Sequence, residues 1–246
     1  TKTEAVLTDD TGRIIHRYLG EGCNPMDIGI PGVKARILSV VQELTAVSPR
    51  TPVSLYGGIA GLDRIDVGLD AYLSQHTPIT VIRTEDDGCN MISGMLGHGD
   101  GCGMVCGTGS SLFARIEGKP LVHIGGLGYL IDTGGSGFEL ARDGLKQAYR
   151  YLDGRGEKTL LAEGFSNALH KELRQAFFDL YAGGRSFIAS LAHVVFACAA
   201  MGDEAAEQIL EEGSSKLAEL TYAAAKHFDG VFPVVMNGGI FHAYPH

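Results

Sequence analysis

The sequence has 246 residues and a mass of 26.1 kDa, with 45% hydrophobic and 20% charged residues. This length corresponds to one large domain or two small ones, and the composition excludes a disordered or fibrous chain. The formal net charge is −9 and the isoelectric point is about 5.4, which argues against a nucleic-acid-binding protein because phosphate backbones require a basic face. No apolar run reaches the length of a membrane span, and no signal peptide is recognised.

The cysteines indicate free thiols. There are five of them, an odd number without the spacing of a disulfide framework, which predicts a reducing, cytoplasmic location. No Cys-x-x-Cys pair is present to suggest a zinc ribbon. Cys102 and Cys106 lie in an apolar run and are expected to be strand residues rather than metal ligands.

Glycine is unusually frequent, with 35 residues, about twice the average usage. The glycines cluster at 57–58, 97–109, 125–137 and 238–239. Such clusters between apolar segments indicate tight turns where the backbone approaches a ligand.

Hydrophobic patterning predicts alternating strands and helices in the first half of the chain. Strands are expected at 4–7, 13–18, 53–56, 79–83, 103–106 and 112–116, and helices at 31–47, 64–74 and 85–96. The second half is expected to be largely helical, at 136–152, 159–163, 167–181, 187–201 and 203–228, with a final strand at 231–236. This change from alternating strands and helices to a mainly helical pattern predicts two α/β domains, residues 1–117 and 118–246, with a cleft between them.

The most informative segment is a Gly-Thr-Gly-Ser-Ser loop between two predicted strands. Gly107 and Gly109 allow a sharp turn, while Thr108, Ser110 and Ser111 add hydroxyl groups, a combination that suits phosphate oxygens. The loop is not a Walker loop, because no Gly-Lys-Ser/Thr follows it. Taken alone, it is explained better by a plain hairpin turn.

Two adjacent carboxylates, Asp86 and Asp87, stand where a predicted strand ends and a helix begins. An aspartate at this position can cap the helix. It can also accept a proton from a substrate hydroxyl during phosphoryl transfer. The residue pattern by itself does not choose between the two aspartates.

Two further segments combine glycine with apolar residues. The stretch 125–137 carries six glycines and runs into a helix, so its backbone is expected to lie close to another group. The buried strand at 234–237 ends in Gly238 and Gly239. Glycine pairs at strand ends often pass under a nucleotide, although a simple turn would also explain this one.

In this order and spacing, these segments resemble the BadF/BadG/BcrA/BcrD ATPase family, whose sugar-kinase branch includes N-acetylglucosamine kinase. Further similarity lies in Thr1-Lys2-Thr3, Gly22-Cys23-Asn24-Pro25, Gly58-Ile59-Ala60-Gly61 and Ile188-Ala189-Ser190-Leu191. The resemblance implies a two-domain, actin-like (ribonuclease H-like) α/β ATPase fold with an interdomain cleft and a helix-rich second half. It also implies ATP and Mg²⁺ as cofactors, without naming a protein ligand for the metal.

The resemblance assigns roles to individual residues. Asp87, rather than Asp86, is implied as the catalytic residue. The nucleotide would contact Thr1, Lys2, Thr3, Gly107, Thr108, Gly109, Ser110, Ala189, Gly238 and Gly239. The sugar would contact Asn24, Gly58, Ser111, Gly126, Asp132 and Thr133.

The sequence departs from the family in the segment tied to sugar binding. Where the family has Gly-Asp-Glu-Gly-Ser-Gly, this chain has Asp132-Thr133-Gly134-Gly135-Ser136-Gly137. The sugar-contacting Asp is thereby replaced by Thr133, and the frequent Trp of the preceding segment is Leu127. The identity of the sugar therefore does not follow from the resemblance.

The ends of the chain also differ from the family pattern. The family's first strand and its Asp-Gly-Gly-Gly would precede Thr1, and a helical segment would follow His246. We therefore expect a truncated chain. A protein that truly starts at Thr1 would be nearly inactive, because that Asp helps to position the metal.

The function expected from these features is ATP-dependent phosphorylation of a hydroxyl group on an N-acetylhexosamine-like sugar. One alternative is an ATPase that activates a partner enzyme, as in the iron–sulfur branch of the family, although no cysteine pair occupies a matching loop. Another is a non-catalytic sensor of sugar or nucleotide, which the altered sugar segment favours. The expected partner is a small sugar rather than a nucleic acid or membrane, and the resemblance is compatible with a homodimer.

Overall fold

The computed structural model describes residues 2–48, 50–132 and 134–244. Thr1 and Thr133, which the resemblance assigns to ligand binding, lie outside the described residues. Two compact units divide the chain, residues 1–94 and 95–246.

The first unit contains two small sheets and their helices. Its elements are β1 (Lys2–Thr8), β2 (Ile14–Glu21), α1 (Pro25–Ala46), β3 (Ser54–Gly58), α2 (Leu69–His76), β4 (Val81–Glu85) and the start of α3 (Asp87–Leu96). Strands β1 and β2 form an antiparallel hairpin, whereas β3 and β4 pair in parallel. The carboxyl ends of β3 and β4 therefore lie side by side, next to the start of α3.

Helix α1 confirms the predicted apolar face but begins earlier than expected. Asn24 caps it, since its Oδ1 accepts a hydrogen bond from the Met26 N–H at 2.8 Å. A kink at Gly29, with φ of 69°, joins this first turn to the predicted helix. The helix packs on α2 in a core of buried aliphatic residues that includes Val33, Ile37, Val41, Leu69 and Leu73.

Helix α2 begins at Leu69, later than the predicted residue 64. The left-handed backbone of Gly68, with φ of 59°, separates the helix from the preceding residues. Hydrophobic spacing alone does not locate the start of α2, because Val67, which precedes the turn at Gly68, is buried like the residues of the helix.

The second unit is built on a four-stranded sheet. Its strands are β5 (Gly101–Cys106), β6 (Ser110–Arg115), β7 (Val122–Gly125) and β8 (Val234–Asn237), in the order β7-β6-β5-β8. β8 lies parallel to β5, and the other neighbours are antiparallel. The domain boundary was predicted between residues 117 and 118, which lie in the connection between the paired strands β6 and β7. That division of the chain stays a prediction.

The remaining elements of this unit are helical. They are α4 (Gly137–Leu152), α5 (Leu161–Leu169), α6 (Phe177–Ser190), α7 (Ala192–Ala200), α8 (Glu204–Ala225) and α9 (Gly239–Ala243). Their main core surrounds Phe165 and Val195, both fully buried. The predicted helix at 187–201 is wrong in its extent, because the chain turns at Leu191 and divides the apolar run between α6 and α7.

The predicted free cysteines are confirmed, since all five are unpaired. Cys102 and Cys106 are buried in β5 as expected. Burial raises the pKa of Cys102 to about 11 and that of Cys106 to about 12, so both are neutral thiols near pH 7.

Within the part of the chain that the structure describes, no single helix is long and apolar enough to cross a membrane. The pair Phe177–Ser190 and Ala192–Ala200, bent by 55°, meets the criteria of length and composition when taken together.

Candidate functional site

The predicted phosphate loop and the glycine pair at 238–239 meet at one edge of the sheet. Because β5 and β8 are parallel and pair Val105 with Asn237, the segments that follow them leave the sheet at the same end. A Cβ atom placed on Gly238 would lie 2.3 Å from the carbonyl oxygen of Cys106, and its φ is 113°. Only glycine permits this contact, which occurs at the carboxyl edge where α/β sheets bind ligands.

The loop between β5 and β6 presents free backbone donors. The N–H of Gly107 donates to the carbonyl of Gly109 at 2.8 Å, which closes a tight turn. Among the described residues, no backbone acceptor is found for the N–H groups of Thr108 and Gly109. Gly109 is exposed, and nothing lies within 4 Å of the Cβ position on it. These two N–H groups are therefore available to an anion.

The start of α4 packs against the same loop. The N–H of Gly137 donates to the carbonyl of Gly107 at 2.8 Å. A Cβ atom on Gly137 would lie 2.9 Å from that carbonyl oxygen and 3.4 Å from the carbonyl oxygen of Ala189. The structure thus brings together Gly107, Ala189 and Gly238, three of the residues assigned to the nucleotide from sequence.

Glu139 holds the glycine-rich segment before α4, a role that sequence reasoning missed. The side chain is only 8% exposed, and its Oε2 accepts a hydrogen bond from the Gly135 N–H at 2.7 Å. Its Oε1 lies 3.2 Å from Arg142 and 3.0 Å from Lys216. Ser136 caps α4 three residues earlier, so the Ser-x-x-Glu pattern of a capping box could have identified this carboxylate.

Three of the residues assigned to the sugar lie near the end of β7. Ser111 pairs with Gly125 in the sheet, and a Cβ atom on Gly126 would lie 2.9 Å from the Ser111 Cβ. The Oδ2 of Asp132, a half-buried residue, is 3.1 Å from the Cβ position on Gly125. Ser111, Gly126 and Asp132 are therefore contiguous around Gly125.

Ser110, assigned to the nucleotide, makes a hydrogen bond within the protein. Its Oγ donates to the carbonyl oxygen of Gly134 at 2.8 Å. The hydroxyl thereby joins the phosphate loop to the segment before α4. The nucleotide contact assigned to Ser110 stays a prediction.

In the first unit, the two aspartates have different environments. Asp86 directly precedes α3 and is 5% exposed. Its carboxylate accepts hydrogen bonds from the N–H groups of Gly88, at 3.0 Å, and Gly61, at 2.9 Å. Asp87 is exposed at the first position of α3. The buried aspartate therefore caps the helix, and the catalytic role assigned to Asp87 stays a prediction.

Asn24 and Gly58 lie beside this pair. The Oδ1 of Asn24 is 3.4 Å from the Cβ position on Gly61, whose N–H donates to Asp86. A Cβ atom on Gly58 would overlap the side chain of Asn90 in α3, at 2.3 Å from Nδ2. The residues assigned to the sugar in this unit therefore gather near the first turns of α3.

Asp86 is a perturbed acid. Burial raises its pKa to about 7, with further increases from the charge of Asp87 and a hydrogen bond with the Asp63 side chain. The hydrogen bonds from Gly88 and Gly61 oppose this shift. The carboxyl of Asp86 therefore exchanges its proton close to neutral pH.

Lys2 and Thr3, assigned to the nucleotide, lie at the start of β1. The Thr3 hydroxyl donates to the carbonyl oxygen of Glu21 at 2.7 Å, across the hairpin. The structure therefore gives Thr3 a contact within its own sheet, and the phosphate contacts of both residues stay predictions.

Comparison with known proteins identifies the family. The model of the BadF/BadG/BcrA/BcrD ATPase family matches residues 1–246. The chain belongs to this family.

Two curated relatives are sugar kinases by name. An N-acetylmuramic acid/N-acetylglucosamine kinase of Clostridium acetobutylicum is 30% identical over 129 residues, which are 51% of this chain and 42% of that protein. An N-acetyl-D-glucosamine kinase of Dictyostelium discoideum is 26% identical over 264 aligned positions, which cover 97% of this chain and 82% of that protein. The match to the Clostridium kinase thus spans less than half of its length.

Solved structures share the fold. A Chromobacterium violaceum protein provisionally named an N-acetylglucosamine kinase has a TM-score of 0.78 at 21% identity, covering 99% of this chain and 85% of that one. A ROK family glucokinase from Streptomyces griseus, bound to glucose and AMPPNP, has a TM-score of 0.56 at 17% identity, covering 98% and 81%. These similarities confirm the predicted α/β fold.

Proposed function

We propose that this chain, within its full-length protein, transfers the γ-phosphoryl group of ATP to a hydroxyl of an N-acetylhexosamine-type sugar. The observation that carries the proposal is the meeting of Gly107, Gly137, Ala189 and Gly238 beside two free N–H groups, at the carboxyl edge of β5 and β8. Family membership and the names of the two curated relatives support the same reaction. A cytoplasmic location stays a prediction.

The residues present suit a nucleotide. The N–H groups of Thr108 and Gly109 would hold phosphate oxygens, with Gly107 and Ser110 shaping the loop. The backbone around Ala189, Gly238 and Gly239 would lie along the adenosine. Mg²⁺ supplies charge neutralisation on the phosphates when bound, and it needs few protein ligands beyond phosphate oxygens and water.

Asp87 is the proposed general base. It is exposed at the start of α3, while Asp86 takes over the capping of that helix. Asp87 would orient the sugar hydroxyl and accept its proton as the oxygen attacks phosphorus. Asn24 and Gly58 would hold the sugar near this carboxylate. The resemblance assigns Ser111, Gly126, Asp132 and Thr133 to the sugar as well, and these assignments are part of the proposal.

The test is ADP formation by the full-length protein with N-acetylglucosamine, N-acetylmannosamine, N-acetylmuramic acid, glucose or no sugar. Asp87→Asn is expected to lower kcat by roughly 10²–10⁴-fold, the range for loss of a general base. Asp10→Asn, at an exposed position in the first hairpin, is the matched control and should retain full activity.

Each other outcome has a distinct meaning. Equal ADP formation with and without sugar would contradict the kinase proposal and favour an ATPase that acts on a partner enzyme. Nucleotide binding without turnover on any sugar would favour the sensor. Equal loss in both aspartate variants would remove the proposed role of Asp87.

A further inference from the structure

A groove of about 700 Å³ runs between α4 and α6 in the second unit. Leu145 of α4 and Leu180 of α6 are buried at its floor. Phe177 and Tyr181, 45% and 75% exposed, line one side, with ring centroids 4.8 Å apart. The groove therefore offers an apolar floor beside exposed aromatic rings that can pack against a flat molecule.

The rest of the lining is strongly basic. Five cationic side chains line the groove, and none of its lining residues is acidic: Arg142, Lys146, Arg150, Arg155 and Arg185. This grouping occurs in a protein whose formal net charge is −9. Single-sign charge in a concave, partly apolar site concentrates ligands of the opposite sign.

Three of the five cations already contact carboxylates outside the lining. The pairs are Arg142 with Asp143 at 3.0 Å, Lys146 with Asp143 at 2.8 Å, and Arg155 with Asp153 at 2.7 Å. These contacts fix the long side chains in place and partly neutralise them.

Arg150 and Arg185 have no carboxylate within 4.0 Å among the residues that the structure describes. Arg150 donates to the carbonyl oxygen of Arg155 at 3.1 Å, and Arg185 lies 5.8 Å from the ring centre of Tyr129. A guanidinium has five N–H donors, so both retain donors for an external oxyanion.

We propose that this groove binds an organic anion in which a planar apolar body carries a carboxylate, sulfonate or phosphate group. The flat body packs against Leu180, Phe177 and Tyr181, and the anionic group contacts Arg150 and Arg185. A neutral ring of the same shape would leave the guanidinium donors unused, and a small inorganic anion would leave the apolar floor exposed to water. Both parts of the ligand are therefore needed.

The groove adjoins the proposed nucleotide site without sharing its contacts. Phe138 and Ile188 line the groove, and their sequence neighbours Gly137 and Ala189 lie against the phosphate loop. A test must therefore distinguish a separate anion site from an extension of the nucleotide site.

The experiment uses two fluorescent probes that differ by one sulfonate: 1-anilinonaphthalene-8-sulfonate and neutral N-phenyl-1-naphthylamine. Both are titrated into the full-length protein and into the double variant Arg150→Gln/Arg185→Gln. The matched control, Arg13→Gln/Arg50→Gln, removes two exposed arginines in the first unit. Circular dichroism and the thermal midpoint check that each protein is folded, and Arg185→Gln alone replaces the double variant if its midpoint falls.

We expect the groove variant to bind the sulfonate probe about tenfold more weakly, the combined effect of two exposed ionic contacts. The control variant and the neutral probe should change less than twofold, and added salt should weaken only the sulfonate probe. Equal weakening in both double variants, or equal loss of both probes, would overturn the proposal. Stoichiometric displacement of the probe by ATP would also overturn it, by making the groove part of the nucleotide site.

Discussion

At the scale of single residues, two neighbouring aspartates have different environments. Asp86 is buried, accepts two backbone hydrogen bonds and shares a hydrogen bond with Asp63. Asp87 remains exposed at the helix start. The family resemblance assigns catalysis to Asp87. The neighbouring Asp86 has a structural role instead, because its hydrogen bonds join the Gly61 turn to α3.

The raised pKa of Asp86 predicts a dependence of stability on pH. Between about pH 4 and pH 7 the folded protein retains the Asp86 proton, which the unfolded chain has lost, so stability falls as pH rises through this window. Asp86→Asn cannot ionise. When the pH is raised from 5 to 8, we expect the thermal midpoint of the unsubstituted protein to fall relative to that of Asp86→Asn. An unchanged difference at the two pH values would contradict this, and Asp10→Asn serves as the control.

The backbone of Gly238 lies too close to the backbone of Cys106 to leave room for a side chain. Gly238→Ala places a methyl group 2.3 Å from the Cys106 carbonyl oxygen and strains a positive φ. We expect a loss of about 1–3 kcal/mol in the free energy of unfolding, the range for a strained backbone position. Gly109→Ala, in open space, should change it by less than about 0.5 kcal/mol. Denaturant titration measures both, and equal effects would show that the contact is unimportant.

At the scale of elements, α4 organises the second unit. Its first N–H groups donate to the phosphate loop, and its Glu139 holds Gly135 while contacting Lys216 of α8. Its other surface forms one side of the cationic groove. One helix therefore connects the proposed nucleotide site with the proposed anion site.

Glu139 provides a test of this arrangement. Glu139→Ala leaves the buried Gly135 N–H without its acceptor, so we expect a loss of about 1–3 kcal/mol in the free energy of unfolding. The KM for ATP and the KM for sugar should both rise, because the loosened segment lies beside the phosphate loop and also carries Asp132, which is assigned to the sugar. Glu211→Ala, at an exposed position of α8, should leave both quantities unaltered. A rise in the KM for sugar alone would refute the assignment.

At the scale of the whole molecule, the proposed contacts are distributed over two compact units. Asn24, Gly58 and Asp87 belong to residues 1–94, whereas the phosphate loop and the glycine pair belong to residues 95–246. Asn24 contacts Met26 and the Gly61 turn rather than a residue assigned to the nucleotide, so its substitution is expected to leave nucleotide affinity unaltered.

Asn24→Ser tests this separation without disturbing α1, because serine also caps helices well. The substitution removes the carboxamide proposed to contact the sugar. We expect the KM for sugar to rise about 3- to 10-fold, the worth of one hydrogen bond, with an unchanged KM for ATP and thermal midpoint. A parallel rise in both KM values would argue against a role confined to the sugar.

Sequence by itself determined those features that depend on local pattern. Helical spacing identified the buried face of α1, and glycine clusters at strand ends marked the loops that meet beside β5 and β8. The order of those loops indicated the family. Each of these signals is contained in neighbouring residues, because backbone conformation and amphipathic periodicity are local properties.

Tertiary structure alone decided the pairings between distant segments. The hydrogen bond between Asp63 and Asp86, the ion pair of Glu139 with Lys216, and the groove between α4 and α6 join residues with no sequence pattern in common. The break of the apolar run at Leu191 belongs with them, since the run is apolar on both sides of the turn. Such contacts depend on how helices pack, and packing is set by the shapes of side chains that are far apart in the chain.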